Sequence, residues 1–306
     1  MLRGIRFRGV LIAVLSAGML VSAPAETVFE VTTAYHHIRV LDQQGVRTLS
    51  FDGSMETRMS LVNPLSGHFE YTEFFHLPWL WNTQLNTVLI VGLGGASTQR
   101  SFEHYYPNLS VETVELDPVV LHVATQFFHF KQSPKQRVHV GDGRVFLRRA
   151  QKQYDAILMD AYTEGRYGSA LPQHLVTKEF FEIASARLTT NGVLAYNVIG
   201  TLRNWRADLL GAVYQTLNAV FPQVYVFPAR ESQNVVLLAT KSKQRTDFNF
   251  LQQRAAVLVH QRRVTLPTFR NRLYSLHVAP PPTAARAPVL TDDFAPVEGL
   301  LNASGQ

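Results

Sequence analysis

Residues 87–96 read Thr87-Val88-Leu89-Ile90-Val91-Gly92-Leu93-Gly94-Gly95-Ala96, an apolar run followed at once by a glycine-rich turn. A second apolar run, Ala156-Ile157-Leu158-Met159, lies further along the chain. Continuous apolar runs of this length are typical of strands buried on both faces, as in a parallel sheet that is covered by helices. The two runs therefore predict an α/β fold built on a mainly parallel sheet.

Strand-like and helix-like segments alternate over residues 86–239. The strand-like segments are 87–91, 111–115, 137–140, 154–159, 192–198, 224–227 and 234–239. Only residues 228–233 separate the last two, which is too short for a parallel crossover, so this pair is expected to be antiparallel and at one edge. The prediction is a class I methyltransferase-like (Rossmann-like) sheet with an antiparallel edge hairpin.

Shorter elements flank this sheet on both sides. Segments 37–41 and 47–51 are extended and joined by a polar turn, which indicates a hairpin, and the aromatic segment 65–81 predicts a short helix. A further helix is predicted over 250–259, and the prolines at 280–282 indicate a stiff exposed linker. The predicted divisions are an N-terminal signal or anchor (1–25), a small β-rich N-terminal domain (26–85), a Rossmann-like domain (86–260) and an irregular C-terminal tail (261–306).

The first residues have the organisation of an export signal. Three arginines, Arg3, Arg6 and Arg8, precede an apolar stretch over 10–21, and Ala23-Pro24-Ala25 has the small-x-small form of a signal-peptidase site. We therefore predict a secretory signal and an exported, periplasmic protein. The alternatives are an uncleaved segment that anchors the chain to a membrane and a cytoplasmic protein.

Composition narrows the function classes. The 306 residues include no cysteine, which excludes disulfides, thiolate metal sites and cysteine nucleophiles. The chain is 46% hydrophobic and 17% charged, as in globular proteins, and no apolar run reaches the roughly 18 to 20 residues of a membrane-spanning helix. Half of the formal charge of +6 comes from the three leader arginines, so the charge gives no support for nucleic-acid binding.

Glycines or acids follow each of the first four strands of the predicted sheet, where open α/β sheets bind their ligands. Gly92, Gly94 and Gly95 allow a ligand to approach main-chain amides at a helix N-terminus. Glu115, at the end of the next strand, can accept two hydrogen bonds from a ribose diol. Taken alone, each feature also has an ordinary explanation, a tight turn or a solvated acid.

Two further acids extend the pattern. Asp142 can accept the exocyclic amine of adenine, while Gly143 keeps the wall of the pocket thin. Asp160 follows the fourth strand, where a carboxylate beside a sulfonium centre can take a proton from an amine nucleophile or orient it. A nicotinamide cofactor accounts for the glycine turn and Glu115 but not for the other acids. The four positions together predict a pocket for an adenosyl-sulfonium compound.

Several motifs resemble those of the spermidine synthase (polyamine aminopropyltransferase) family. They are Val114-Glu115-Leu116-Asp117, Val140-Gly141-Asp142-Gly143, Tyr154-Asp155-Ala156-Ile157-Leu158-Met159-Asp160, Leu175-Val176-Thr177-Lys178-Glu179-Phe180-Phe181, Phe51-Asp52-Gly53 and Tyr71-Thr72-Glu73. The resemblance implies transfer of an aminopropyl group from decarboxylated S-adenosylmethionine to a polyamine, with no tightly bound cofactor. It implies that Glu115 holds the ribose, Asp142 and Gly143 hold adenine, and Asp160 is the catalytic acid or base.

The chain departs from the family pattern on the polyamine side. Gly95 stands where the family has an aspartate that holds the amine of the donor, and Glu56 stands where it has a glutamine. Thr72 and Thr163 replace a histidine and a second aspartate. The candidate acceptor-side residues are Glu56, Tyr71 and Thr163, and the identity of the acceptor stays open.

Two other functions stay open as well, a catalytically lapsed nucleoside-binding or scaffold protein and a small-molecule methyltransferase that uses S-adenosylmethionine. We expect small-molecule partners, no nucleic acid, and a homodimer formed through the N-terminal hairpins. No metal is expected, because His122 and His129 lack the spacing of metal ligands. Asp292 and Asp293 are expected in a solvated tail, the alternative being that they fold back onto the cleft.

Overall fold

The computed structural model describes residues 24–165, 168–203 and 207–302. Nearly all of the predicted leader, residues 1–25, lies outside these ranges. The first structural unit is a four-stranded antiparallel sheet with its strands in chain order. These strands are β1 (Glu26–Thr32), β2 (His37–Gln43), β3 (Val46–Phe51) and β4 (Ser54–Ser60). The hairpin that the sequence predicts is the pair β2 and β3.

A larger sheet follows. The remaining strands are β5 (Thr87–Val91), β6 (Ser110–Glu115), β7 (Gln136–Val140), β8 (Tyr154–Met159), β9 (Thr163–Gly165), β10 (Gly168–Ala170), β11 (Leu188–Ile199), β12 (Gln223–Pro228) and β13 (Asn234–Thr240). Seven of them form one sheet in the order β12-β13-β11-β8-β5-β6-β7, whereas β9 and β10 form a separate short hairpin.

The direction of the strands confirms the predicted topology. Strands β11, β8, β5, β6 and β7 run parallel to one another. Strand β13 runs antiparallel to both β11 and β12, and β12 lies at the edge. The short link between β12 and β13 enforces this pairing, because a parallel return needs a crossover of a dozen or more residues. The fold is therefore the mainly parallel α/β sheet with an antiparallel edge hairpin that the sequence predicts.

Helices cover both faces of the large sheet. The α-helices are α1 (Ser97–Tyr105), α2 (Pro118–Phe127), α3 (Gly143–Arg149), α4 (Lys178–Ala186), α5 (Ala207–Asn218), α6 (Phe248–His260), α7 (Phe269–Leu273) and α8 (Val297–Asn302). Short 3-10 helices span Glu70–Leu80, Gln173–Leu175 and Ala284–Arg286. None of the helices within the described ranges has the length and apolar character needed to cross a bilayer.

Alternate side chains of β5 enter two separate cores, which explains why the whole strand is apolar. Leu89 and Val91 pack in a cluster with side chains of α3, α4 and α5. Val88 and Ile90 pack in a second cluster with α1, α6, α7 and the first 3-10 helix. A strand with apolar neighbours on both sides has no solvated face, so polar alternation is absent from its sequence.

The first 3-10 helix, Glu70–Leu80, is buried along its whole length and carries two acids into the protein. Glu70 and Glu73 both form ion pairs with Arg272 of α7. Burial alone would raise the pKa of Glu73, but hydrogen bonds from His68, Thr268 and Arg272 lower it to about 2. Charge pairing to a distant part of the chain therefore holds this helix in place.

The C-terminal region differs from the irregular, solvated tail that the sequence predicts. It contains α7 and α8, and the side chains of Leu290 and Val297 are buried in the core on the α5 face. Pro281 of the proline triplet is buried too, so the triplet is not an exposed linker throughout. The segment lacks periodicity because it binds the domain through single anchoring side chains rather than through one regular face.

The residues that follow β5 and β8, Gly92 and Asp160, lie in close backbone contact. The backbone at Gly92 has φ +103°, and a Cβ there would overlap the carbonyl oxygen of Asp160. The amide of Asp160 also donates a hydrogen bond to the carbonyl of Val91 at 2.8 Å. Gly92 therefore sets how closely the glycine turn approaches the residue that follows β8.

Gly92→Ala is expected to lower the free energy of unfolding by about 2 to 4 kcal/mol, because it adds a positive-φ penalty to a backbone overlap. Gly53 is a matched control, since its φ is +88° and no atom lies within 4 Å of the position that a Cβ would occupy. Gly53→Ala should lower it by about 1 to 2 kcal/mol only. Urea unfolding measures both variants, and equal losses would contradict the close approach of Gly92 to Asp160.

Candidate functional site

A cavity of about 490 Å³ opens at the carboxyl ends of β5, β6, β7 and β8. This is the edge where ligands bind in open α/β sheets. With the exception of Gly95, every site residue that the sequence predicts lines it, namely Glu56, Tyr71, Gly92, Gly94, Glu115, Asp142, Gly143, Asp160 and Thr163. Residues far apart in the sequence therefore meet around one space large enough for a nucleoside.

Gly95 has a packing role instead of lining the cavity. Its amide donates a hydrogen bond to Thr57 Oγ1 at 2.9 Å. A Cβ at Gly95 would lie 2.6 Å from Thr57 Cγ2 and 2.9 Å from the Phe128 ring. The aspartate that the family pattern has at this position would therefore require Thr57 and Phe128 to move. Glycine at position 95, where the family has an aspartate, therefore allows Thr57 of β4 to pack against the glycine turn.

Glu115 is held rigidly at one end of the cavity. Its carboxylate oxygens accept hydrogen bonds from the amides of Leu93 and Asp117, both at 2.9 Å. Burial raises the pKa of Glu115, although the two backbone hydrogen bonds act in the opposite direction. The side chain is only 9% exposed, and its remaining exposure is toward the cavity that it lines. Its lone pairs can therefore accept hydrogen bonds from a ligand hydroxyl without a change of rotamer.

Asp142 is the N-cap of α3 and lies on the same side of the cavity. Its Oδ1 accepts a hydrogen bond from the amide of Val145 at 2.8 Å, and its Oδ2 contacts Nε2 of His174 at 2.7 Å. A side chain at Gly143 would overlap Val91, so only glycine fits beside β5. The cap fixes the carboxylate of Asp142, and His174 gives it a partner at the surface.

The carboxylate of Asp160 lies at another part of the cavity wall and has two donors. Asn197 Nδ2 donates to Oδ1 at 2.9 Å, and the Tyr71 hydroxyl donates to Oδ2 at 3.3 Å. Asn234 donates in turn to Asn197 Oδ1 at 3.2 Å. Burial raises the pKa of Asp160 to about 6, although both hydrogen bonds to the carboxylate lower it. A base with this pKa is mostly ionised at neutral pH.

Glu56 supplies a second carboxyl group in this part of the cavity. Burial raises its pKa to about 7, the hydrogen bond from Ser169 of β10 opposes this, and the charges of Asp160 and Asp52 add to it. The sequence marks Glu56 only as a departure from a family glutamine. The structure makes it an acid that shares the cavity with Asp160.

Asn197 and Ser169 are functional candidates that the sequence analysis missed. Asn197 is 1% exposed and lies near the end of β11, in the mainly apolar half of the strand that follows Gly192. An amide side chain within this apolar run was the available signal, since a buried amide needs hydrogen-bond partners. Ser169 lies in the short hairpin of β9 and β10, for which the sequence contains no comparable pattern.

The cavity is acidic. Its carboxyl side chains are those of Glu56, Glu115, Asp142 and Asp160. Among the described residues that line it, the basic side chains are His36 and His174, with no lysine or arginine. An adjoining cavity of about 230 Å³ shares Glu56 with the first and adds Asp52 and Glu164. Such a surface favours a ligand that carries positive charge.

Neither His122 nor His129 belongs to a metal-like cluster. Across the described parts of the chain, no group of three or more histidine, aspartate or glutamate side chains is arranged to hold a metal ion.

Comparison with known proteins agrees with this geometry. The spermine/spermidine synthase domain matches residues 68–252. A polyamine aminopropyltransferase from Vibrio vulnificus (strain CMCP6) is 32% identical over 282 residues, which cover 89% of this chain and 91% of that protein. The chain belongs to the spermine/spermidine synthase family. The family resemblance of the sequence motifs is thereby confirmed.

Solved structures extend the comparison beyond this family. Human methyltransferase-like protein 13 in complex with SAH is 29% identical, with a TM-score of 0.55, covering 64% of this chain and 91% of that one. A probable spermidine synthase from Corynebacterium glutamicum ATCC 13032 is 20% identical, with a TM-score of 0.61, covering 76% and 88%. The second likeness concerns the fold alone. Together they confirm the methyltransferase-like fold of this spermine/spermidine synthase family member.

Asn197→Leu is expected to raise the pKa of Asp160 above its value of about 6, because the ionised carboxylate loses a hydrogen-bond donor. Carbon-13 NMR of labelled carboxyl groups measures the midpoint in the ligand-free protein. Asn218→Leu is the control, because Asn218 is exposed at the end of α5. An unchanged Asp160 midpoint in Asn197→Leu would mean that the amide does not stabilise the charge.

Glu56 makes the stability of the ligand-free protein depend on pH. Its folded pKa of about 7 exceeds the ordinary value of 4.5, so protonation of Glu56 favours the folded state. This contribution is complete below pH 4.5 and is lost as the pH rises through about 7.

Glu56→Gln should therefore unfold like the wild type at pH 4.5 but be more stable at pH 8 by about 3 kcal/mol. Urea unfolding at the two pH values measures the difference. Glu164→Gln is the control, since Glu164 is exposed on β9. A Glu56→Gln protein that gains nothing at pH 8 would show that Glu56 is not destabilised by burial.

Proposed function

We propose that this protein binds decarboxylated S-adenosylmethionine and transfers its aminopropyl group to an amine of a polyamine. The observation that carries the proposal is that one cavity is lined by the acids Asp160 and Glu56 and also by Glu115 and Asp142. Glu115 and Asp142 can accept hydrogen bonds from a nucleoside, and Asp160 and Glu56 can bind amines. Family membership supports transferase chemistry of this kind.

The charges of the cavity favour the decarboxylated donor. Ordinary S-adenosylmethionine has a carboxylate in its amino-acid tail, which would enter a cavity that already holds two carboxyl groups at its reacting end. No arginine or lysine among the described lining residues neutralises that carboxylate. A donor with a sulfonium and an ammonium but no carboxylate is attracted by the same field.

A small-molecule methyltransferase is the second candidate function. It is favoured by the 29% identity to human methyltransferase-like protein 13, whose structure was solved in complex with SAH. We place this function second because the acidic cavity disfavours the carboxylate of S-adenosylmethionine. A direct comparison of the two donors separates these candidates.

Asp160 acts as the base in the proposed reaction. The acceptor amine gives a proton to the Asp160 carboxylate, and its nitrogen lone pair then attacks the aminopropyl carbon bonded to sulfur. The new C–N bond forms as the C–S bond breaks, and the bonding pair stays on sulfur as the neutral thioether of methylthioadenosine. Hydrogen bonds from Tyr71 and Asn197 hold the carboxylate in position for this transfer.

The adjoining cavity suits the far end of the acceptor. It continues past Glu56 to Asp52 and Glu164, so a chain with a second ammonium group has acidic partners beyond the reacting amine. The burial that raises the pKa of Glu56 is offset when a cation binds beside it, because an opposite charge favours the ionised form. We therefore propose Glu56, Tyr71 and Thr163 as acceptor-side residues.

The location and assembly of the protein are proposals that rest on the sequence alone. Residues 1–25 are proposed as an export signal or membrane anchor, and N-terminal sequencing of the native protein distinguishes the two. Domain limits at 26–85 and 86–260 and a homodimer through the N-terminal sheet are proposed in the same way. An exported enzyme would meet its sulfonium donor outside the cytoplasm, so the two proposals have to be tested together.

Asp160→Asn is expected to reduce aminopropyl transfer from decarboxylated S-adenosylmethionine to putrescine or spermidine by about 10²- to 10⁴-fold, the usual effect of losing a general base. Its affinity for methylthioadenosine should remain close to that of the wild type, because the nucleoside contacts are unaltered. Turnover assays and calorimetry measure the two quantities. Glu115→Ala is the contrasting variant and should lose nucleoside affinity by roughly 1 to 3 kcal/mol.

Three outcomes would contradict parts of this proposal. Undiminished turnover in Asp160→Asn would remove Asp160 as the base. A wild-type protein that binds methylthioadenosine but transfers nothing would support a lapsed nucleoside-binding protein. Turnover with S-adenosylmethionine and not with its decarboxylated form would support the methyltransferase.

A further inference from the structure

The C-terminal segment 290–297 has a defined position on α4 and α5. The amide of Lys178 donates to the carbonyl of Leu290 at 2.8 Å, and the amide of Leu290 donates to Thr216 Oγ1 at 2.8 Å. Leu290 and Val297 are buried at 0% and 1% exposure. The acids Asp292 and Asp293 lie between these two anchors, so one of them can be directed at the body of the protein.

Asp292 makes that contact. Its carboxylate binds both terminal nitrogens of Arg144, at 2.7 Å and 2.5 Å, and accepts a hydrogen bond from Thr177 Oγ1 at 2.7 Å. Its amide donates to Glu179 at 2.9 Å. A bidentate pair fixes the plane of a guanidinium as well as its position. Asp292 therefore folds back onto α3 and α4, but it is not among the residues that line the cavity.

Arg144 connects this contact to the nucleoside end of the cavity. It follows the lining residues Asp142 and Gly143 at the start of α3, and its Nη1 donates to the carbonyl of His174 at 3.1 Å. His174 belongs to the 3-10 helix Gln173–Leu175, which also lines the cavity, and it pairs with Asp142 at 2.7 Å. The guanidinium of Arg144 therefore lies between Asp292 of the C-terminal segment and His174 in the cavity wall.

Arg144 also experiences the charge of Asp142. The hydrogen bond to Asp292 is the largest cause that raises the pKa of Arg144, and the charges of Glu179 and Asp142 contribute in the same direction. If Asp292 lost its charge, Asp142 and Glu179 would remain as acidic partners of the guanidinium. A guanidinium drawn to Asp142 would occupy the carboxylate that is proposed to accept the adenine amine.

We propose that Asp292 is a positioning residue for nucleoside recognition: it holds Arg144 against His174 and Thr177 and thereby keeps this cation off Asp142. The inference rests on the proposed function, in which Asp142 receives the exocyclic amine of adenine. Asp292 touches no ligand in this scheme and acts only through Arg144. Loss of the Asp292 charge should therefore weaken the binding of nucleosides that carry the adenine amine more than the binding of nucleosides that lack it.

The test compares Asp292→Asn with Asp293→Asn in the full-length protein. Asp293 is the adjacent acid on the same tail, and its side chain is exposed. Calorimetry measures the affinity for methylthioadenosine and for methylthioinosine, in which a carbonyl replaces the amine. Asp292→Asn should weaken methylthioadenosine binding roughly tenfold and methylthioinosine binding much less, the scale of one charge-assisted hydrogen bond. Asp293→Asn should change neither affinity.

Asp292→Glu restores the charge and should recover most of the adenine preference, which a role in packing alone would not require. Equal weakening of both nucleosides in Asp292→Asn would mean general loosening of the wall and would overturn the inference. Wild-type affinities in Asp292→Asn would overturn it too and leave the proposed function standing. A wild-type protein that binds neither nucleoside would overturn the proposed function and the inference together.

Discussion

The cavity depends on keeping the carboxylate of Asp160 ionised although it is buried. Removing a carboxylate from water raises its pKa, and only donors placed by the fold limit this rise. Tyr71 supplies one donor from the 3-10 helix, and Asn197 supplies the other from β11. Gly92 lets the end of β5 approach the backbone of the same aspartate. The first 3-10 helix, β11 and the end of β5 therefore all contact Asp160.

Burial also raises the pKa of the second acid in this part of the cavity. Glu56 adds a second carboxyl where the family pattern has a neutral amide, and its pKa is raised mainly by burial and further by repulsion from Asp160 and Asp52. A cationic ligand relieves this repulsion, so binding and ionisation are coupled.

Patterns that are local in the sequence predicted most of the fold and the nucleoside side of the site. The strands around 87–91 and 154–159 are apolar throughout because both their faces are buried, and Glu115, Asp142 and Asp160 follow directly at strand ends. Contacts between distant segments were not predictable in this way. Nothing local in the sequence reveals that Asn197 meets Asp160, that Thr57 fills the space beside Gly95, or that Asp292 reaches Arg144.

The ion pairs of Arg272 with Glu70 and Glu73 join residues 202 and 199 positions apart in the sequence. A ribosome releases the two glutamates long before it has made the arginine that neutralises them. Until then, burying the 3-10 helix would leave two carboxylates without their counter-charge, which costs several kcal/mol. We therefore expect the hydrophobic sheet to form on the nascent chain while this helix, and Tyr71 with it, docks only after synthesis has passed residue 272. The cavity would then be completed only late in translation, so a prematurely terminated chain would keep much of its sheet without an assembled cavity.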